Sequence, residues 1–188
     1  MGDRSGALTA GVLARELAGL GITHVLGIPD NASAALFRRL EAGGRVRVLT
    51  VTREGDAFAM AAGLWIGGAE PVVLIQNTGL LESGDGLRGT AMRMRVPLLC
   101  LVTWRGHATL QGDAPAPDPE TLGRPDVDSV AVLTESTLRA WGVACEVFRA
   151  GDGPEKVRAA LEDARRREAP SALLVPETIP DDDEGRAP

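Results

Sequence analysis

Short apolar runs alternate with stretches of helical periodicity along most of the chain, and this alternation constrains the fold more than any other feature. The apolar runs fall at residues 23–28, 46–51, 71–75, 98–102, 143–148 and 172–175. The run at 71–75 does not alternate with polar residues, as expected of a strand that is covered on both faces. The pattern predicts an α/β fold: a doubly wound, mostly parallel six-stranded sheet with helices on both faces.

The length predicts a single domain. The 188 residues can bury a substantial core, and we assign residues 1–179 to one domain. Residues 180–188 are acidic and flanked by prolines, which predicts a disordered tail. In the second half of the chain, we expect a long loop at 104–125, short helices at 127–133 and 138–141, and a helix capped by Asp152.

Composition argues against several classes of function. The formal net charge of −6 argues against nucleic-acid binding, which needs a basic face. Cys100 and Cys145 form no CxxC pair, so a zinc site is not expected. No apolar run approaches the roughly 18 residues of a membrane span. We therefore expect a protein of the reducing cytoplasm that does not bind membranes.

The most informative junction follows the second apolar run. Phe58, Ala61, Ala62 and Trp65 fall at i, i+3, i+4 and i+7, which is one face of a helix. Glu54 therefore lies where a strand ends and a helix begins, and ligands of open α/β sheets bind at such ends. The position of Glu54 alone has an alternative interpretation, in which the acid only interacts favourably with the dipole of the helix.

The residues around this junction resemble the pyrimidine-binding (PYR) domain of thiamine diphosphate enzymes. Arg53-Glu54 is followed by Ala61-Ala62-Gly63, and Gly63 lies nine residues after Glu54. Residues 76–80 (Gln-Asn-Thr-Gly-Leu) and 104–106 (Trp-Arg-Gly) resemble segments of sulfopyruvate and phosphonopyruvate decarboxylases. The resemblance covers roughly residues 8–178.

This resemblance implies a thiamine diphosphate-dependent carboxy-lyase that decarboxylates sulfopyruvate, phosphonopyruvate or a related 3-substituted pyruvate. In the family, a glutamate at this spacing hydrogen-bonds the aminopyrimidine ring, which implies that Glu54 is catalytic. Glu54, Gln76, Asn77 and Gly79 are the implied cofactor-binding residues, and a plain turn is the alternative for the last three. Two other functions stay open: a PYR subunit of another 2-oxoacid-converting thiamine enzyme, or a non-catalytic PYR-like module that binds a partner.

The implied substrate is a small anion, and four polar residues follow predicted strands. Arg105 could hold a sulfonate, phosphonate or carboxylate, and His107 could donate a proton. Asp30 and Asn31 lie in the turn where PYR domains often face the substrate. For each residue a plain structural role is the alternative: an exposed arginine, a solvated histidine and a helix cap.

The diphosphate-binding part of the family is expected on another polypeptide. That part is marked by Gly-Asp-Gly and a later asparagine, which bind Mg²⁺. The tripeptide occurs at 84–86 and 151–153, but the only asparagines, Asn31 and Asn77, lie upstream of both. The resemblance thus implies an α subunit that assembles with a β-type subunit carrying the diphosphate-binding (PP) domain and Mg²⁺. Pairing of the PYR chain with itself is also expected, because the Glu54 face must be covered.

The family has Gly-Asn where this chain has Leu81-Glu82. An acid in place of an amide changes the chemistry beside the predicted site. The substrate contacts are therefore not expected to match those of the family in every detail.

Overall fold

The computed structural model describes residues 8–110, 115–176 and 178–182. Helices α1 to α7 span Ala10–Gly19, Ala34–Gly43, Glu54–Ile66, Asn77–Glu82, Pro119–Leu122, Ser129–Ala140 and Glu155–Arg167. Strands β1 to β6 span His24–Gly27, Arg47–Thr50, Pro71–Gln76, Leu99–Thr103, Ala144–Val147 and Ser171–Val175. A π-helix at Gly86–Met92 follows α4, and a 3₁₀ turn at His107–Leu110 follows β4.

All the strands within the described residues run parallel, in the order β2-β1-β3-β4-β6-β5. Side chains of β3 alternate between the two faces: Val73 and Ile75 pack on one, and Val72 and Leu74 on the other. The first face carries α3, α4, the π-helix and α6, and the second carries α1, α2 and α7. The predicted doubly wound parallel sheet is confirmed.

The gaps between β1 and β3 and between β4 and β6 are topological switch points, where the chain leaves adjacent strands toward opposite faces. After β1 the chain goes to α2 on the second face, whereas after β3 it goes to α4 on the first. After β4 it goes to α6 on the first face, whereas after β6 it reaches Ile179 on the second. Crevices at such points, outside the strands' carboxyl ends, are the usual ligand sites of this fold.

The two short helices predicted at 127–133 and 138–141 are one continuous helix, α6. Thr134 and Ser136 lie between the two predicted helices, and their hydroxyl groups can compete with the helix for hydrogen bonds to backbone groups. Here the Thr134 hydroxyl donates to the Val130 carbonyl at 2.7 Å, and the Ser136 hydroxyl donates to the Leu133 carbonyl at 3.1 Å. Both are satisfied inside the helix, so the helix continues. Asp128 caps it by accepting the Val130 N–H at 3.1 Å.

Asp152 does not cap α7, contrary to expectation. The helix begins at Glu155, and the Asp152 carboxylate accepts the Arg149 N–H and the Lys156 ammonium, each at 2.7 Å. The hydrogen bond from Lys156 holds the pKa of Asp152 below its usual range. Asp152 therefore stabilises the turn that precedes the helix.

The first three residues of the predicted tail are part of the folded body. The Pro180 carbonyl accepts the Ala10 N–H at 2.8 Å, and Arg39 Nε donates to Asp181 at 2.7 Å. Asp182 accepts the Gly11 N–H at the start of α1 at 3.2 Å, where a helix dipole favours an anion. Residues 183–188 of the predicted tail lie outside the described residues.

Candidate functional site

Glu54 lies over Gly79, and these two residues form the centre of the candidate site. Glu54 is the first residue of α3, and it is half-buried. Gly79 is buried in α4, directly after β3. A Cβ atom on Gly79 would lie 2.3 Å from Glu54 Cγ and 2.4 Å from its Oε1. Only glycine leaves room for the glutamate side chain in this position.

The Glu54 carboxylate forms no hydrogen bond or ion pair with any described residue. It is partly shielded from water and adjoins the N-terminus of α3. An unengaged carboxyl group in such a place can exchange a proton with a ligand or hydrogen-bond a ring nitrogen. The Glu54 carboxylate is therefore available to hydrogen-bond the ring of a cofactor, which is the role that the sequence predicted.

An ion pair beside Glu54 was not foreseen from the sequence. Arg53 Nη2 donates to Glu82 Oε1 at 2.5 Å, and the Glu82 side chain is 40% exposed. This hydrogen bond lowers the pKa of Glu82 and raises that of Arg53, with a smaller contribution to Glu82 from the Gly55 backbone N–H. The charge of Glu82, the acid expected from the resemblance to stand in place of an amide, is balanced by Arg53.

Asn77 faces the protein interior rather than the crevice. Its amide nitrogen donates to the Arg105 carbonyl and to the Thr134 hydroxyl, both at 3.0 Å. The side chain is fully buried, and its Oδ1 has no hydrogen-bond partner among the described residues. Asn77 thus joins the end of β3 to the segment after β4 and to α6. Gln76, at the end of β3, is half-buried and accepts the Thr78 hydroxyl at 3.3 Å.

Replacing Asn77 with alanine is expected to lower the free energy of unfolding by about 1–3 kcal/mol, since the buried Thr134 hydroxyl and the part-buried Arg105 carbonyl lose their hydrogen-bond donor. Urea denaturation measures this loss. Thr78→Ala, at the exposed next position, is the matched control and should change stability by less than about 0.5 kcal/mol. Equal effects of the two substitutions would show that the Asn77 bonds carry no net stability.

Asp30 holds the turn after β1. Its Oδ1 accepts the N–H groups of Ala32 at 2.6 Å and Ser33 at 2.8 Å, and its Oδ2 accepts the Thr103 hydroxyl at 2.6 Å. Ser33 occupies the N-cap position of α2 without a side-chain capping bond. The carboxylate therefore ties the ends of β1 and β4 together across the crevice. Asn31 lies exposed in the same turn.

The segment after β4 carries the remaining predicted residues. Arg105 is 57% exposed, and its Nε lies 3.4 Å from Asp128 Oδ2. His107 is half-buried against Trp104, with ring centroids 4.5 Å apart, and the Trp104 indole donates to the Ala131 carbonyl at 3.0 Å. Trp104 thus packs the segment onto α6. The structure brings Glu54 close to Gly79, and it brings Asn77 close to Arg105. His107 instead faces the crevice between the ends of β4 and β6.

The described residues contain no group of three or more His, Cys, Asp or Glu side chains that could hold a metal ion. None of the helices in that part of the chain is both long enough and apolar enough to cross a membrane.

Comparison with known proteins shows the family of this chain. The family described as "Thiamine pyrophosphate enzyme, N-terminal TPP binding domain" matches residues 9–123. Phosphonopyruvate decarboxylase of Streptomyces hygroscopicus is 30% identical over 176 residues, which are 92% of this chain and 41% of the relative. The enzyme of the same name from Streptomyces viridochromogenes is 37% identical over 112 residues, which are 60% of this chain and 28% of the relative.

A third relative is named as a subunit. Sulfopyruvate decarboxylase subunit alpha of Methanothermobacter thermautotrophicus is 27% identical over 113 residues, which are 60% of this chain and 66% of that subunit. The chain spans less than half the length of the two phosphonopyruvate decarboxylases that it matches.

Proposed function

This chain belongs to the thiamine pyrophosphate enzyme family through its N-terminal TPP-binding domain, and on that basis we propose that it is the pyrimidine-binding subunit of a 2-oxoacid decarboxylase. The observation that carries the proposal is the unengaged, half-buried Glu54 carboxylate over Gly79. The names of the relatives support sulfopyruvate, phosphonopyruvate or a related 3-substituted pyruvate as the substrate.

The residues present fit the pyrimidine end of thiamine pyrophosphate. Glu54 would hold a proton at the ring nitrogen N1′, while Gly79 keeps the space that the glutamate side chain needs. The main chain of Gln76 and Asn77, where β3 passes into α4, would meet the ring from the adjacent strand end. When bound, the cofactor supplies the electron sink for loss of carbon dioxide from a 2-oxoacid.

Arg105 is our candidate for holding the anionic group of the substrate. Its guanidinium is mostly exposed and only loosely associated with Asp128, so donors remain for a sulfonate, phosphonate or carboxylate. Asp30 would keep Asn31 and the turn in place rather than meet the substrate itself, because its carboxylate already accepts three hydrogen bonds. His107 remains a candidate proton donor, positioned by Trp104.

A partner subunit forms part of the proposal. It would carry the PP domain with Mg²⁺, consistent with relatives that are named alpha subunits. Its contact surface would include the outer face of α3, where Met60 is 44% and Ile66 64% exposed. A helix that is apolar on its solvent side as well as its inner side is typically covered, either by the partner or by a second copy. Two free cysteines agree with a reducing, cytoplasmic setting.

The proposal is tested by co-expressing the chain with a partner that contains Gly-Asp-Gly and the later asparagine. Carbon dioxide release is then measured with sulfopyruvate, phosphonopyruvate and pyruvate. We expect turnover only with both chains present, and faster turnover of the two 3-substituted acids than of pyruvate. Turnover by this chain alone would contradict the split arrangement. An assembled, cofactor-loaded complex that decarboxylates none of the three acids would contradict the substrate class.

A further inference from the structure

The Gly84-Asp85-Gly86 tripeptide lies beside the candidate site, and the proposed function does not use it. It follows α4, and the π-helix begins at Gly86. Asp85 is exposed and forms an ion pair with Arg88 at 3.1 Å. The two glycines, by contrast, each face a neighbouring helix. Their surroundings explain the tripeptide by packing, and π-helices are frequent at functional sites.

Gly86 brings the main chain of the π-helix against the first turn of α3. A Cβ atom on Gly86 would lie 2.5 Å from the Gly55 carbonyl oxygen, 3.2 Å from its carbonyl carbon and 3.3 Å from Gly55 Cα. All three atoms belong to the backbone, so they cannot rotate away as a side chain could. The φ angle of Gly86 is not positive, so the close approach, and not the backbone conformation, requires glycine here.

Gly84 faces a side chain instead of a backbone. A Cβ atom on Gly84 would lie 2.9 Å from Cζ2 and 3.1 Å from Cη2 of Trp141, the residue that follows α6. These atoms form the far edge of a half-buried indole ring, which can shift by a small rotation of the side chain. The two glycines of one tripeptide thus differ in a useful way: only Gly86 adjoins atoms that cannot move without moving a helix.

The first turn of α3 is therefore held between α4 and the π-helix. The Glu54 side chain lies over Gly79 of α4, and the next residue, Gly55, lies against Gly86. Leu87, the second residue of the π-helix, is fully buried in the same core cluster as the inner face of α3. Because packed interiors leave few voids and transmit strain, a change at Gly86 displaces the turn that carries Glu54.

We propose that Gly86 is a positioning residue for Glu54, because it lets the π-helix abut the first turn of α3 and so fixes that turn relative to Gly79. This inference rests on the function proposed for Glu54. Gly86 acts through the main chain of Gly55 and not through contact with the cofactor. Its contribution is to hold the Glu54 carboxylate at the place where the ring nitrogen would bind.

Gly86→Ala is the variant that tests this inference. Its methyl group would lie 2.5 Å from the Gly55 oxygen, so the two backbones must separate by about 1 Å to reach an ordinary contact distance. A displacement of that size at a catalytic group costs a rate on the order of 100-fold. In the assembled, cofactor-loaded complex, kcat for carbon dioxide release and the rate of C2-proton exchange should both fall by about that factor, while KM for the 2-oxoacid changes little.

The displacement is also measurable on the full chain without cofactor or partner. In NMR spectra of the labelled chain, the amide signals of Gly55 and Asp56 should move in Gly86→Ala. Gly84→Ala is the matched control, because it adds the same methyl group to the same tripeptide but toward Trp141. Gly84→Ala should leave those amide signals in place and retain the wild-type rate in the assembled complex.

Combining the variant with Glu54→Gln separates this inference from the proposed function. The double variant Glu54→Gln, Gly86→Ala should be about as slow as Glu54→Gln alone, because Gly86 acts only through the side chain that has been replaced. A wild-type rate or unmoved Gly55 signals in Gly86→Ala, additive losses in the double variant, or an equal loss in Gly84→Ala would overturn the inference and leave the proposed function intact. A wild-type rate in Glu54→Gln would instead overturn the proposed function, and the inference with it.

Circular dichroism verifies that each variant is folded. If Gly86→Ala is unstable, all variants are compared in trimethylamine N-oxide, an osmolyte that favours folded states. A Gly86→Ala chain that stays unfolded in the osmolyte would overturn the proposal, because it would assign Gly86 to folding and not to the placement of Glu54.

Discussion

Replacing Glu54 with glutamine is expected to slow carbon dioxide release by the assembled, cofactor-loaded complex about 100- to 10,000-fold. Proton transfer by a positioned side chain contributes on that order to a rate, and glutamine has no acidic proton to transfer. Exchange of the C2 proton of bound thiamine pyrophosphate should slow in parallel, since the role proposed for Glu54 precedes substrate binding. Quenched-flow NMR measures that exchange. Glutamine retains the size and a hydrogen-bonding group, so cofactor affinity should fall only modestly.

Asp56→Asn is the matched control for this substitution. Asp56 lies in the same first turn of α3 and is exposed, so its loss removes an equal charge from the helix N-terminus. Either substitution should change the free energy of unfolding by only about 0.3–1 kcal/mol, the worth of one such charge near a helix dipole. Wild-type exchange in Glu54→Gln, or an equally slow rate in Asp56→Asn, would show that Glu54 is not the activating acid.

Gly79→Ala is expected to lower the rate about 100-fold while leaving the fold stable. The new methyl group would lie 2.3–2.4 Å from Glu54 Cγ, Cδ and Oε1, so the glutamate side chain must rotate away. A displacement of about 1 Å at a catalytic group costs a rate on the order of 100-fold. The atoms that must move belong to a flexible side chain, and alanine suits a helix better than glycine does by up to about 1 kcal/mol. Urea denaturation should therefore show little loss of stability.

A double-mutant cycle tests whether the effect of Gly79→Ala acts through Glu54. The double variant Glu54→Gln, Gly79→Ala should be about as slow as Glu54→Gln alone, because the displaced group no longer has a function to lose. Gly19→Ala, at the last residue of α1 with no atom within 4 Å of the added methyl, should retain the wild-type rate. Additive losses in the double variant would mean that Gly79→Ala damages the site by another route.

The fold could be predicted from the sequence because its signals are local. A run such as residues 71–75 is apolar at every position, which already implies that both faces of the strand are covered. The change of period before Phe58 predicted that Glu54 lies where a strand ends and a helix begins, and α3 begins at Glu54 in the structure. The break predicted within α6 was wrong, because whether Thr134 and Ser136 end a helix or bond within it depends on packing.

Within the site, the sequence indicated which residues are present but not what each one contacts. It placed Glu54 at a strand end, yet the closeness of Glu54 to Gly79 depends on how α3 packs against α4. Asn77 and Gln76 are adjacent in sequence, but the first is buried toward Arg105 and Thr134, whereas the second lies half-buried at the strand end. The pairing of Arg53 with Glu82 joins residues 29 positions apart.

The sequence by itself determined the alternation of strands and helices, the family and the position of Glu54, the proposed catalytic acid, since each is encoded in periodicity or in a short motif. Only the tertiary structure decided the order of the strands, and with it the switch points at β1/β3 and β4/β6. The cavity between β4 and β6 combines residues as distant in sequence as Leu8, Phe148 and Ile179. No local sequence pattern encodes the proximity of these residues, because it results from how the crossover connections distribute helices over the two faces of the sheet.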